Sequence, residues 1–152
     1  MSAGRELTLA LLPTATVLLV LALIEQAGHQ RLLFASLASS AFLIYVDPSL
    51  RMNRVRTLVL AQLAAAVVGS LALWLIGPGY IAAAVAMGAF ILLMVAGDFV
   101  HPPAVGTALT FAFRPATQAG LPLFGLAVVM VVLLVGLAQA TTWLVRRLPR
   151  GA

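Results

Sequence analysis

Apolar segments long enough to cross a lipid bilayer dominate this chain and leave few folds open to it. A bilayer core needs about 20 apolar residues per helix, with about 17–25 tolerated. Residues 7–24, 56–76, 80–96 and 120–145 qualify. Gly77-Pro78-Gly79 stops the second segment, and Arg146, Arg147 and Arg150 follow the fourth. The composition is 63% hydrophobic and 9% charged, where a soluble domain carries about a quarter charged residues. A soluble core of 152 residues has no room to hide that apolar surface. One membrane domain spanning residues 1–152 follows, since no long polar linker divides the chain.

The formal charge of +5 does not point to nucleic acid. All nine basic residues are Arg, and most stand in short stretches between or beyond apolar segments. That is the positive-inside pattern of a membrane protein, not a basic groove. The chain has no cysteine, which excludes disulfides and thiolate metal sites. Residues 7–24 lack a convincing small-residue cleavage site and read as a retained helix rather than a signal peptide. Two histidines and four acids are scattered, without metal-ligand spacing such as HExxH. No Gly-rich phosphate loop is present, and Ser39-Ser40 has no nearby base in sequence. The expectation is a protein without enzymatic activity, metal or cofactor.

Two further apolar stretches are short. Residues 36–46 end at Asp47-Pro48, and residues 103–113 end at Arg114-Pro115. Eleven residues make about 16 Å of helix at about 1.5 Å per residue, half a membrane. The order is long, short, long, then long, short, long, and the short stretches begin 67 positions apart. The same shift takes Pro48 to Pro115 and Gly69 to Gly136. Order and punctuation thus suggest a repeat, residues 7–76 followed by 80–146.

Arginine placement sets the direction of each repeat. Arg51, Arg54 and Arg56 form one cluster; Arg146, Arg147 and Arg150 form another. If both face the cytoplasm, an even number of crossings separates them. Three long helices lie between or within these bounds, so the short element must cross too. The predicted fold is all-α, with six crossings as two inverted three-helix repeats and both termini cytoplasmic. Each repeat carries a short half-helix preceded by an extended segment. Inverted repeats with broken helices are a recurring plan of secondary transporters.

The short elements carry the chemistry. Pro102 and Pro103 keep the lead-in from Asp98 to His101 out of helical geometry and suit a helix start inside the membrane. The first N–H groups, from Ala104, Val105 and Gly106, should lack intrahelical partners and sit at the positive end of the helix dipole. Lipid cannot satisfy them; a small anion or water can. The first repeat suggests a similar start near Ala35 to Ser39. Ser39, Ser40 and Thr107 add hydroxyls, while Ala38, Gly106 and Ala108 are small enough to let backbone approach a ligand. The same small residues equally suit plain helix packing. His101 can donate to an anion or carry a proton, and it can equally be a neutral histidine bonded to Asp98. Asp98 suits the cytoplasmic mouth or a proton relay. Gln62, inside a long helix, needs a partner and suits a cavity wall. Trp74 and Trp143 read as interfacial anchors.

His101-Pro102-Pro103-Ala104 followed by Thr107-Ala108-Leu109 resembles the signature of the HPP family of small integral membrane proteins. The stretch from Ser39 to Tyr45, with Pro48 and Arg56, resembles that family's first signature. The resemblance implies a bacterial or chloroplast membrane protein, and some plastid members are described as nitrite transporters. Val105 stands where members usually carry Gly, Ala61-Gln62 where they carry Gly-His, and Thr57 near an expected Asn. The reading is a transporter of a small monovalent, nitrite-like anion in the bacterial inner membrane. The anion would bind at His101, Pro102, Pro103, Ala104, Val105, Gly106 and Thr107 on one side and Ala38, Ser39 and Ser40 on the other. Rocking of one repeat against the other would alternate access. A homo-oligomer is expected, with small residues in 82–88 lining its contact. The alternatives are a non-transporting module that senses an anion or binds a partner, and a passive channel.

Overall fold

The computed structural model describes residues 11, 31–47, 49–115 and 120–147. Helices α1 Arg31–Val46, α2 Val55–Ile76, α3 Tyr80–Ala96, α4 Ala104–Phe113 and α5 Gly120–Arg147 account for most of them. A 3-10 turn, Arg51–Asn53, joins α1 to α2, and the described residues contain no strand. The predicted helix at 7–24 lies outside the described residues except for Leu11, as do Glu25 and His29. Val55–Ile76 and Phe124–Trp143 are long and apolar enough to cross a membrane; Ala35–Val46, Tyr80–Ala96 and Ala104–Phe113 are shorter apolar helices.

Local chemistry sets most boundaries. Gly77 and Gly79 adopt φ of 90° and 137°, open to glycine and closed to most side chains. With Pro78 between them they end α2 and start α3. Gly97 closes α3 by donating to the Leu93 carbonyl at 2.9 Å. Asp98 follows at φ 52°, a left-handed position that Asp tolerates better than most residues. Arg114 is extended, as a residue before proline should be, and stops α4.

One expected break is missing. The first short element was predicted to begin near Ala35 to Ser39 after an extended lead-in. Instead α1 runs unbroken from Arg31. Ala38 and Ser39 lie in mid-helix and are exposed. Nothing like Pro102-Pro103 interrupts the chain there, so the helix propagates through. Among the described residues a non-helical lead-in precedes α4; residues 29 and 30, expected to lead into the first short element, lie outside them.

Contacts at the helix ends fix the directions. Asp98, just past α3, bonds Arg51, just before α2. Tyr80 at the start of α3 meets Phe113 at the end of α4 edge-on, ring centroids 5.3 Å apart. Phe111 meets Phe124, near the start of α5, at 6.5 Å. Asn53 donates to the Leu43 and Asp47 carbonyls at the end of α1. Arg54 shares a groove with Gln139, Thr142 and Trp143 of α5. Successive helices therefore alternate in direction, and the Arg51–Arg56 stretch shares one end of the molecule with the last turns of α5.

α4 is the centre, packed against α1, α2 and α3. Alanines let it in: Ala61 and Ala65 of α2 meet Ala104 and Ala108, with Phe90 and Met94 of α3. Ala72, Ala82, Ala83, Ala86 and Ala112 form a second cluster. Three of the small residues expected at a contact between copies are thus spent inside one chain. At Gly69 a Cβ would stand 2.3 Å from the Ala108 carbonyl oxygen, so α2 and α4 touch backbone to backbone. Gly136, its partner under the 67-residue shift, faces open space. Trp74, Leu75, Tyr80, Ile81 and Leu92 are exposed around the periphery, as lipid-facing side chains are.

Candidate functional site

Five polar side chains meet in the apolar interior: Ser36 and Ser40 of α1, Gln62 of α2, His101 of the lead-in, and Thr107 of α4. All are buried, and Ser40, His101 and Thr107 have no exposed surface. Three elements distant in sequence place them. Ser36 and Ser40 are four apart, hence on one face of α1. Gln62 faces them across the interface. The two prolines hold His101 in extended chain beneath the 3-10 turn, within reach of the Met52 carbonyl.

The bonds form a chain. His101 Nδ1 lies 3.0 Å from the Met52 carbonyl oxygen. His101 Nε2 lies 2.9 Å from Ser40 Oγ. Gln62 Nε2 donates to Ser36 Oγ at 3.4 Å and to Ser40 Oγ at 3.5 Å. Thr107 Oγ1 donates to Gln62 Oε1 at 2.5 Å. Thr107 Oγ1 and Ser36 Oγ are 3.0 Å apart, and Ser36 Oγ donates to the Pro103 carbonyl at 2.7 Å. Between the Met52 carbonyl and the Pro103 carbonyl there are seven links: Met52–His101, His101–Ser40, Ser40–Gln62, Gln62–Ser36, Gln62–Thr107, Thr107–Ser36 and Ser36–Pro103.

Both ends of this chain are acceptors, so proton counting has a definite answer. A carbonyl only accepts, so His101 Nδ1 carries hydrogen. A neutral imidazole then supplies one proton, each of three hydroxyls one, and the Gln62 amide nitrogen two. Six protons serve seven links. With Gln62 in this orientation every donor is spent and only the Thr107–Ser36 contact has no hydrogen between its oxygens. Turning the amide over fills that contact but empties His101–Ser40 and Gln62–Ser36. A second proton on His101 turns Nε2 into a donor to Ser40 and releases the Ser40 hydroxyl hydrogen.

The predicted anion donors are not available. The Ala104, Val105 and Gly106 N–H groups bond the carbonyls of His101, Pro102 and Pro103 at 3.0, 3.1 and 3.0 Å. The tight first turn pairs them three residues back. Binding by open backbone amides is therefore overturned, and side chains fill the space before α4. Of the predicted residues, Ser40, Gln62, His101 and Thr107 come together. Ala104 is buried behind them, Pro103, Val105 and Gly106 are half-buried, and Pro102, Ala38 and Ser39 are exposed. Asp98 does not bond His101. It holds Arg51 at 2.5 Å on the surface. Ser36 and the Met52 carbonyl were missed. The 67-residue shift held a clue to the serine, since it relates Ser36 to Pro103, the residue it bonds.

A family model described as HPP, transmembrane region, matches residues 2–151. The chain belongs to the HPP family. It is a membrane protein, as the family and its apolar helices together establish. No curated protein and no solved structure matches it. Within this HPP chain, His101, Pro102 and Pro103 have separable roles: the prolines end helical geometry, while the histidine anchors the buried chain of bonds. Among the described residues no group of His, Cys, Asp and Glu is arranged to hold a metal ion.

Proposed function

We propose that this HPP-family protein carries a small monovalent, nitrite-like oxyanion across the membrane together with a proton, through the cluster between α1, α2 and α4. The bond between His101 Nε2 and Ser40 carries this reading: a neutral imidazole takes the Ser40 hydrogen there, and a protonated one gives it back. An anion alone would find its donors already spent, and burying an unpaired charge is expensive. A proton alone would leave an imidazolium with no facing carboxylate, because Asp98 is engaged by Arg51. Together the two are neutral. The proton sits on His101, makes Nε2 a donor to Ser40, and frees the Ser40 hydroxyl hydrogen to turn toward the anion. Ser40, Gln62 and Thr107 would hold the ion with His101 once α1 moves away from α4. Asp98 acts at the mouth rather than at the buried site.

The remaining features of the proposal are a bacterial inner-membrane location, six crossings in two inverted repeats, cytoplasmic termini and assembly of several copies. Neither a cofactor nor catalysis has a part in it. Two pairs related by the 67-residue shift, Ser36 with Pro103 and Ser40 with Thr107, gather in one cluster. Equivalent positions near a pseudo-two-fold axis do so, which supports the inverted repeat.

The closed cluster also favours a second reading, a module in which these bonds only fix the helices. Proteoliposome uptake separates the two. Nitrite and nitrate uptake is followed with and without an outside-acid gradient, against protein-free liposomes because nitrous acid crosses bilayers unaided. Coupled transport predicts saturable uptake accelerated by the gradient and lost in His101→Ala. Uptake that neither saturates nor responds to the gradient indicates a channel. A folded protein without flux rejects transport.

A further inference from the structure

A second polar feature lies at the arginine-rich end, outside the buried cluster. A cavity of about 280 Å³ is lined by Arg51, Arg54, Arg56, Thr57, Asp98 and Met52 among others. Met52 joins it to the cluster, since its carbonyl holds His101. Three guanidinium groups face one carboxylate. Arg51 Nη2 donates to Asp98 Oδ2 at 2.5 Å. Among the described residues Arg54 and Arg56 have no carboxylate within ion-pair distance. α2 starts at this cavity without a side-chain cap, which adds positive potential. Topology alone needs positive charge at this end of the chain. It does not need three arginines around one hollow above the only described histidine.

Asp98 shows what the hollow holds. Its carboxylate is an oxyanion supplied by the protein, placed on Arg51 from the left-handed turn that ends α3. Both side chains are more than two-thirds exposed, 72% and 77%, so solvent anions reach the pair. Exposed pairs of this kind are weak, and an external oxyanion can take the carboxylate's place. Guanidinium groups suit that exchange, because their planar forks match two oxygens of one anion.

We infer that Arg51, Arg54 and Arg56 form an oxyanion-binding vestibule in which Asp98 is a built-in competitor, displaced when the anion loads. Displacement frees Asp98, and with it the short lead-in that ends at His101. The vestibule thus connects arrival of the anion to the group that takes up the proton. This inference rests on the transport reading for its purpose but not for its test. The same chemistry would accept the phosphate of an anionic lipid, and the experiment separates the two sources.

The test is equilibrium binding of sodium nitrite to the full chain in neutral detergent, by titration calorimetry. Asp98→Asn removes the competitor and should tighten binding about tenfold, the effect of roughly one charge-assisted contact. The double variant Arg54→Gln/Arg56→Gln should weaken it at least about tenfold on the same scale. Circular dichroism and gel filtration check folding, which a surface ion pair hardly affects. Unchanged or weaker binding in Asp98→Asn overturns the inference, as does arginine-independent binding or no binding in any variant. The titration is repeated in nanodiscs of phosphatidylcholine and of phosphatidylglycerol. Loss of nitrite binding and of the Asp98→Asn effect only in phosphatidylglycerol assigns the site to lipid phosphate and overturns the vestibule. Binding of the expected pattern without flux would keep the vestibule and reject transport. Flux with binding insensitive to residue 98 would do the reverse.

Discussion

Replacing Gly69 by Ala tests how tightly α4 is held and whether the polar cluster depends on it. A methyl there would lie 2.3 Å from the Ala108 carbonyl oxygen and 2.8 Å from Phe111 Cβ. The first obstacle is backbone and cannot rotate aside, so α4 must retreat by roughly 1 Å to restore ordinary contact. Overpacking of this kind costs about 1–3 kcal/mol. Better helix propensity returns about 1 kcal/mol, which leaves a net loss of up to about 2 kcal/mol. The displacement also reaches the cluster, because α4 carries Thr107, whose bond to Gln62 spans 2.5 Å. Opening it by a comparable amount exceeds the hydrogen-bond range of about 3 Å for paired oxygens. Gly88→Ala is the control, since no atom lies within 4 Å of its added methyl. Unfolding in mixed micelles, followed by circular dichroism across a rising detergent-denaturant fraction, should show Gly69→Ala less stable than wild type and Gly88→Ala equal to it or better. Equal midpoints for the two variants would refute the close α2–α4 contact.

Thr107→Val keeps the shape but strands Gln62 Oε1 in a buried site, which should cost about 1–3 kcal/mol in the same unfolding assay, while Thr107→Ser restores most of it. Asn53→Ala removes both donors that tie the end of α1 to the 3-10 turn, at 2.8 and 2.7 Å, and should lower the midpoint by a similar amount, about 1–3 kcal/mol. Ser49 and Asp47 form a local bond pair that lowers the Asp47 pKa through the Ser49 side chain first and its backbone second. That bonding favours the carboxylate, so its contribution is present above the ordinary Asp pKa and fades as pH falls through the lowered value. Loop protection from proteolysis should decline in acid, and less so in Asp47→Asn. Cysteines placed at Ser49 and Leu148 should react with an impermeant label from one face and a cysteine at Tyr80 from the other; labelling of 49 and 148 from opposite faces rejects the six-crossing plan.

Elements with strong local punctuation were legible in the sequence. Gly77-Pro78-Gly79 and Pro102-Pro103 impose backbone geometry wherever they stand, so α2, α3 and α4 begin and end within a residue of their predicted limits. His101, Ser40, Gln62 and Thr107 stood out because a polar group in an apolar segment must find a partner. The start of α1 was not legible, since no residue between Arg31 and Ser36 breaks a helix and the expectation there came from analogy between repeats. The pairing of the first α4 amides was hidden for a different reason. Whether a first turn tightens onto the carbonyls three residues back depends on backbone angles that two prolines narrow but do not fix. The Met52 carbonyl carries no side-chain signal at all, and the Arg51–Asp98 pair becomes visible only when α2 and α3 are antiparallel.

The packing restricts which part of the molecule can move. Rocking of one whole repeat against the other would separate α2 from α4, because the proposed first repeat holds α2 and the proposed second holds α4. That seam is the one where glycine brings backbone against backbone and where Ala61 and Ala65 meet Ala104 and Ala108. Separating it would expose a contact of backbone against backbone. α1 touches α4 differently. Its links are hydroxyl bonds from Ser36 and Ser40, and apolar side chains such as Leu37 and Ile44 in the cluster with Phe111 and Met130. Hydroxyl bonds exchange partners with an incoming ion at little cost, and methyl and methylene groups slide more readily than interlocked backbones. The transport proposal therefore places opening of the site in a motion of α1 over a fixed α2–α3–α4 unit. His101 would stay with the fixed unit as part of the chain that leads into α4, and Ser36 and Ser40 would leave it. On that proposal the proton and the moving hydroxyls sit on opposite sides of the gap that the ion would enter.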